Sequence, residues 1–304
     1  MLVKQEKAKI IRLPFSTGHR RSFFLFGNGF LLASMLYFYI EDSYENKLFE
    51  TLATYVKAES KNSVDTKEAL LINSLRLTHQ LAEQRAAVFG KSHFQSIKSS
   101  VIQPVTFDLM TGQGACGSYA FILSRLLSEL NIPNRIVQMK VNGLYGGHIL
   151  VEAKTNHGWG ILDGSYNLYF KKADGAMADF DEVHKNWSYY SSQIPPGYNT
   201  QYNYEDVRYT NWDKIPILMP LIRSIVRFTA GSDAANHLSL RSYFLRKYHW
   251  LLRLTEFIYA SLLFGFIRLY IKRNRRRVRH SALPFLKFNN SKLDLIKQPG
   301  EAVK

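Results

Sequence analysis

"GQGACGSYAFILSRLLSELNIPNRIVQMKVNGLYGGHILVEAKTNHGWGILDG", residues 112–164, decides how this chain folds. A glycine-rich loop runs into an apolar stretch whose spacing predicts a helix over 117–130, stopped by Asn131 with Pro133 just beyond. Three strand-like segments follow. "NRIVQMKV" (134–141) is apolar at 136, 137, 139 and 141. "GGHILVEA" (146–153) comes after the turn "NGLYGG", and "GWGILDG" (158–164) after the turn "TNHG". A helix feeding an antiparallel meander is an α+β arrangement.

Toward the N-terminus the pattern is helical. "SYENKLFETLATYV" (43–56) places Leu48, Leu52 and Tyr55 on one face, with Ser43 as N-cap. Residues 63–90 predict a second helix, entered through Asp65 or Thr66 and closed by Gly90. "KSHFQSIKSSVIQPVTF" (91–107) reads as a linker. The expected fold is therefore a helical N-terminal part packed on an antiparallel sheet. Downstream, residues 187–212 hold six tyrosines and two tryptophans among polar residues. That segment either lines a cleft or packs over the domain as an aromatic extension.

The formal net charge is +16, and its distribution decides what it means. Residues 1–40 carry net +5, residues 41–213 net −3 and residues 214–304 net +14. A nucleic-acid-binding domain carries its own basic face, and the middle region is slightly acidic, so a nucleic-acid partner is not expected. Basic flanks beside apolar segments fit retention on the cytoplasmic side of a membrane. "FFLFGNGFLLASMLYFYI" (23–40) is uncharged, follows Arg20–Arg21 and precedes Glu41–Asp42. It reads as a signal anchor rather than a cleaved signal peptide, because no small-x-small site follows it. The second apolar segment, 250–271, either spans or lies in the interface as an amphipathic helix. Arg253 and Glu256 are spaced to pair on one face, and a basic cluster from Lys272 to Arg279 follows.

The expected organisation is a basic tail (1–22), an anchor (23–40), a central domain (41–213), an interfacial lead-in (214–249), a second membrane helix (250–271) and a basic tail (272–304). Both tails would be cytoplasmic, and the central domain would face the periplasm or cell exterior.

Cys116 is the single cysteine of the chain. At a helix N-terminus a thiol feels the positive end of the macrodipole and unpaired backbone N–H groups, both of which favour the nucleophilic thiolate. Such a thiolate needs a base or imidazolium, and that partner needs an orienter. His148 opens a strand just after Gly146–Gly147, and Asp163 ends the next one. Residues 148 and 163 become cross-strand neighbours if the hairpin closes symmetrically about 155–156. Gln113 is a candidate oxyanion donor beside the Cys116 N–H. The expected substrate-contacting positions are Gly114, Gly117 and Gly147, together with Trp159, Trp187 and Tyr189. No metal site is read: His79, His93, His157, His184 and His237 are scattered without ligand spacing, and one cysteine excludes thiolate clusters.

Residues 110–170 also resemble the transglutaminase-like superfamily. Its core has a cysteine at a helix start, a histidine at a strand start and an aspartate at the end of the next strand. The matching pieces are "GQGACGSYAFILSRLLSELNIPNRI", "GGHILVEA" and "WGILDGS", and Arg135, Glu152 and Trp159 also fall where that pattern expects them. The resemblance implies Cys116 as nucleophile, His148 as base and acid, and Asp163 as orienter. A papain-type chain has the same order but a histidine about 130 residues downstream, whereas here the separation is 32. The implied chemistry is acyl transfer through a thioester, with no cofactor. Water as acceptor gives a protease or amidase acting on a peptide or protein, such as one of the cell envelope; an amine gives a crosslinking transferase. The alternative is a non-catalytic module tethered to membrane lipid that binds peptide or glycan, or scaffolds an assembly. Oligomeric state is not legible.

Overall fold

The computed structural model describes residues 17–63, 65–89, 105–111, 116–244 and 247–294. Two compact units divide the chain: Met1–Tyr37 with Leu251–Lys304, and Phe38–Trp250.

Four helices come first: α1 (Thr17–Ser60), α2 (Thr66–Phe89), α3 (Val105–Thr111) and α4 (Cys116–Glu129). The strands β1 (Asn134–Val141), β2 (Leu144–Lys154), β3 (Trp159–Asp163) and β4 (Leu168–Tyr169) follow. Then come α5 (Phe180–Lys185), α6 (Trp187–Tyr190), β5 (Val207–Arg208), α7 (Leu218–His237), α8 (Leu240–Phe244) and α9 (Tyr248–Asp294). The sheet is antiparallel in the order β4-β3-β2-β1-β5. The protein is α+β.

Alternation along the strands splits the core between the two faces of the sheet. Ile136, Val151, Ala153 and Leu162 meet Phe49, Leu71, Leu75, Leu109, Leu123 and Leu126 of the four helices. Val137, Leu150 and Ile161 point the other way, into a layer made by Phe170, Phe180, Tyr190 and Tyr204. Most of the 187–212 aromatics are thus packing residues: Tyr190, Tyr198, Tyr204, Tyr209 and Trp212 are all buried.

Local signals explain the element ends. Asp65 caps α2, its Oδ1 accepting from the N–H groups of Lys67 and Glu68 at 3.0 Å. Helix α4 ends as a Schellman motif: Asn131 is left-handed (φ 58°), and the Ile132 and Asn131 N–H groups donate to Leu127 and Ser128 carbonyls. Asn142–Gly143, both at positive φ, form the two-residue turn joining β1 to β2. Along the outer edge of β1, Ser239 donates its hydroxyl to the Ile136 carbonyl (2.6 Å) and Ser242 accepts from the Ile136 N–H (2.9 Å). Residues 239–242 therefore cover an edge that β5 leaves open.

Two expectations change. Ser43 is interior to α1 rather than its N-cap, because residues 41–60 contain neither glycine nor proline and the helical ladder continues. Val105–Phe107, expected in a linker, open α3 because Val105 and Leu109 bury one turn apart against the helical core. Gly90, the expected stop of the second helix, lies outside the described residues.

In the other unit, Phe24 and Phe266 stack with ring centroids 4.9 Å apart. Asn28 donates its side-chain amide to the Phe24 carbonyl (2.7 Å), keeping a polar group satisfied within the helix. Arg253 and Glu256 pair at 2.9 Å, as their spacing predicts. Two helical segments, Ser22–Ser60 and Tyr248–Lys272, are long and apolar enough to cross a membrane.

Candidate active site

Three elements converge on Cys116. The thiol sits on the first residue of α4, partly exposed and free. One turn on, Tyr119 packs so tightly against the end of β3 that a Cβ on Gly164 would stand 2.9 Å from the Tyr119 Cβ. Helix α2 ties this junction from behind. His79 Nδ1 donates to the Gly164 carbonyl (3.0 Å), and the Tyr119 hydroxyl donates to Glu83 Oε1 (2.7 Å).

His148 is aimed by a bulge. The β1–β2 register runs evenly from Asn134↔Ala153 to Met139↔His148, then jumps to Lys140↔Tyr145, leaving Gly146 and Gly147 unpaired on β2. Gly146 has φ 92°, and a Cβ on Gly147 would lie 2.6 Å from the Val141 Cβ. Only glycines allow this bend, which turns the start of β2 where a side chain must be re-aimed. His148 is 1% exposed, and its Nε2 lies 2.7 Å from Asp163 Oδ2, itself on a residue 1% exposed. The other Asp163 oxygen accepts from the Ser165 N–H at 3.0 Å.

The hairpin closes one residue later than symmetric pairing predicts. Val151↔Leu162 and Lys154↔Trp159 centre it on Asn156–His157, so His148 and Asp163 are diagonal rather than directly opposed. The two-residue offset keeps both side chains on one face, which is why the contact survives.

With Nε2 held by Asp163, Nδ1 is left buried without a regular hydrogen-bond partner among the described residues. The group coupled to that side of the ring is the Cys116 thiol. Burial works against a charged imidazole, but the charge and hydrogen bond of Asp163, followed by the thiol, hold His148 up at about 9. Burial likewise pushes the thiol up. Hydrogen bonding and charge from His148, with the backbone N–H groups of Ile149 and Gly117, outweigh it and lower Cys116 below the ordinary thiol value. The arrangement favours a thiolate–imidazolium pair.

The aromatic cover differs from the expected one. Tyr202 stacks on the His148 ring (centroids 4.2 Å, interplanar angle 13°), and Tyr166 meets it edge-on at 6.1 Å. Tyr198 backs Tyr166 at 4.5 Å and donates its hydroxyl to Tyr204. Trp187 instead packs on Phe170 and Tyr204, and Tyr189 lies edge-on to Tyr190. Trp187 packs against the aromatic layer and Tyr189 is half exposed, and neither ring is among those that meet the His148 imidazole. Trp159, at the opposite end of β3 from Asp163, lies 4.1 Å from the Arg135 guanidinium. Arg135 also bonds Glu152 at 2.6 Å, and Glu152 further accepts from the Tyr209 hydroxyl and the Phe180 N–H. That cluster is a structural lock. Gly147 is exposed, although a side chain there would run into Val141. Gly117 faces Ile149 in the first turn of α4, with room for an ordinary contact at 3.6 Å. Gln113 and Gly114 lie outside the described residues.

Sequence reasoning missed Tyr166 and Tyr202. Tyr166, three residues past Asp163, was in view; Tyr202 was one of six tyrosines with nothing local to single it out. Clefts lie elsewhere, among them one of about 500 Å³ lined by Glu59, Asp65, Asn73 and Lys171, and one of about 430 Å³ lined by Asp206, Arg208, Trp212 and His237. Neither is lined by Cys116 or His148. Among the described residues no group of three or more His, Cys, Asp or Glu could hold a metal ion. In comparisons with known proteins, the chain matches no family model, no curated protein and no solved structure.

Proposed function

We propose that this chain is a transglutaminase-like cysteine hydrolase, tethered to a membrane by its two apolar helices, that cleaves amide bonds through a Cys116 thioester. The observation that carries the reading is the buried His148–Asp163 pair at 2.7 Å, whose ring is also coupled to a lowered thiol at a helix start. In the first step the Cys116 Sγ lone pair forms a bond to the amide carbonyl carbon. The tetrahedral intermediate collapses, the C–N bond breaks, and His148 Nδ1–H gives its proton to the departing nitrogen. In the second step water adds to the thioester carbonyl, passing a proton to Nδ1. The C–S bond breaks, a carboxylic acid leaves and the thiolate–imidazolium pair is restored. Asp163 stays ionised throughout, fixing the tautomer through Nε2–H. Water is favoured over an amine because no feature among the described residues marks an amine-acceptor subsite, while water is always present. The basic flanks of both apolar helices favour cytoplasmic tails, with the domain facing the periplasm or exterior.

The test is the pH profile of Cys116 alkylation by iodoacetamide, in detergent-solubilised wild type and His148→Ala. The expected result is rapid labelling well below pH 8 in the wild type and a profile moved to higher pH in the variant. Ordinary thiol behaviour in both proteins would remove the catalytic reading.

A further inference from the structure

Helix α7 carries an apolar stripe on the outside of its unit. Ile217, the N-cap residue at φ 72°, precedes Leu221, Ile225 and Phe228, whose spacings of four and three align them on one face of the helix. Their exposures are 86%, 56%, 53% and 93%. Leu218 and Ile215 widen the stripe and are about half exposed, at 49% and 48%. The opposite face, with Met219, Ile222, Arg223 and Val226, is partly buried against the domain. So many large apolar side chains within fourteen residues form a continuous patch rather than scattered exposures.

Charge identifies what the patch fits. Between residues 214 and 230 the basic residues are Lys214, Arg223 and Arg227, and there is no acid. An apolar stripe flanked by cations is the pattern of a helix lying in an anionic lipid interface. The connection points the same way. The chain leaves this unit into an apolar helical segment at each end, Ser22–Ser60 and Tyr248–Lys272. The half-exposed Trp250 stands at the second exit, where interfacial aromatics collect.

We infer that α7 docks the domain onto an anionic phospholipid surface, with Ile217, Leu221, Ile225 and Phe228 inserted among the acyl chains and Lys214 and Arg227 at the headgroups. This rests on the membrane-tether part of the proposed function and is independent of the chemistry at Cys116. It assigns residues 214–230 a role in holding the domain against the bilayer, beyond the tether itself.

The test uses the full chain with Cys116→Ser, so that single new cysteines can carry an environment-sensitive fluorophore, in nanodiscs of mixed phosphatidylglycerol and phosphatidylcholine. Probes go at Leu221→Cys and Phe228→Cys on the stripe, at the exposed Asp174→Cys elsewhere on the domain, and at Leu32→Cys in the anchor. The expected result is blue-shifted emission at 221 and 228, lost when lipids carry a nitroxide high on the acyl chain and little affected by aqueous iodide. Position 174 should show the reverse. Replacing phosphatidylglycerol with phosphatidylcholine should weaken the lipid quenching at 228. Iodide quenching at 228 equal to that at 174 would overturn the inference. So would protection from iodide without quenching by lipid, which would mean that a second copy covers the stripe. Leu32 separates the two readings: lipid quenching there without quenching at 228 defeats the docking alone, and none at either position defeats the membrane tether with it.

Discussion

Replacing Asp163 with Asn tests the electrostatics on which the proposed chemistry depends. Asp163 Oδ1 accepts from the Ser165 N–H, so an Asn oxygen is drawn to that position and the Asn NH₂ is left facing His148 Nε2. An NH₂ there requires Nε2 to be the bare nitrogen, which puts the proton on Nδ1 of a neutral ring. Two effects then add. The folded wild type holds the His148 proton near 9 against an ordinary value of ~6.5, a preference of roughly 300-fold. Without the carboxylate charge, burial of a ring 1% exposed is unopposed on that side and the imidazole is neutral at pH 7. The thiol, also raised by burial, loses its cationic neighbour and moves back up toward the ordinary thiol range, where little of it is thiolate at pH 7. Alkylation at pH 7 should fall by about tenfold or more, with the whole profile displaced upward. Amide hydrolysis shows the sign from both limbs. In the wild type it should fall as pH drops through the lowered thiol value, and again as pH rises through about 9, where the imidazolium is lost. In Asp163→Asn the upper limb moves down and the lower limb moves up, so the window closes. The assay is stopped-flow alkylation between pH 5 and 10 on the detergent-solubilised chain, with Asp174→Asn as an exposed control and circular dichroism to verify folding. A folded Asp163→Asn protein alkylating at pH 7 as fast as wild type would refute the reasoning.

Tyr202→Phe should leave the His148 titration near its wild-type position, since the stacked ring is kept and its hydroxyl is not called upon. Tyr202→Ala admits water to the ring face, screens the Asp163 charge and should let His148 titrate below 9, toward ~6.5, read from the imidazole C2–H resonance; identical titrations in the two variants would deny the stack any such role. Glu152→Ala removes the partner of Arg135 at a site 1% exposed and strands the hydrogen bonds from Tyr209 and Phe180. It should cost about 3–5 kcal/mol in denaturant unfolding, and a loss under about 1 kcal/mol would show that the cluster is not the lock described.

The meander was legible because each of its signals is local. The "NGLYGG" turn signal, the alternation in 134–141 and 146–153, and the Asn131 stop each act over a few residues; the structure narrows the turn to Asn142–Gly143, because Leu144 and Tyr145 already pair with β1. The His148–Asp163 contact was legible for a related reason: a glycine pair before His148 and a short hairpin to Asp163 leave few ways for the two to be apart. The register was less secure. Turn chemistry in "TNHG" sets the closing pair, and Thr155 Oγ1 bonds the Gly158 carbonyl and accepts from the His157 N–H, which moves the hairpin centre by one residue. The continuity of α1 through Ser43 was missed because a polar triplet resembles a helix start, although only a helix breaker would have ended the ladder. Tyr202 was out of reach altogether. Its place over His148 depends on how residues 194–206 return across the sheet, and their path is fixed by tertiary packing of Tyr198 and Tyr204 rather than by any local period.

The geometry of the site depends on contacts that tolerate no added atom. Val141 meets Gly147 from one strand, and Tyr119 meets Gly164 from the helix. The first contact fixes the angle at which β2 presents His148, and the second fixes the height at which β3 ends against the start of α4. Neither glycine touches a reacting group, yet together they set the relative position of the thiol, the imidazole and the carboxylate. Acyl transfer is sensitive to displacements of an ångström, and side chains held on loops would wander by more than that. Here the histidine and aspartate sit on neighbouring strands of one sheet, the thiol on a helix packed against that sheet, and the stacked Tyr202 covers one face of the imidazole.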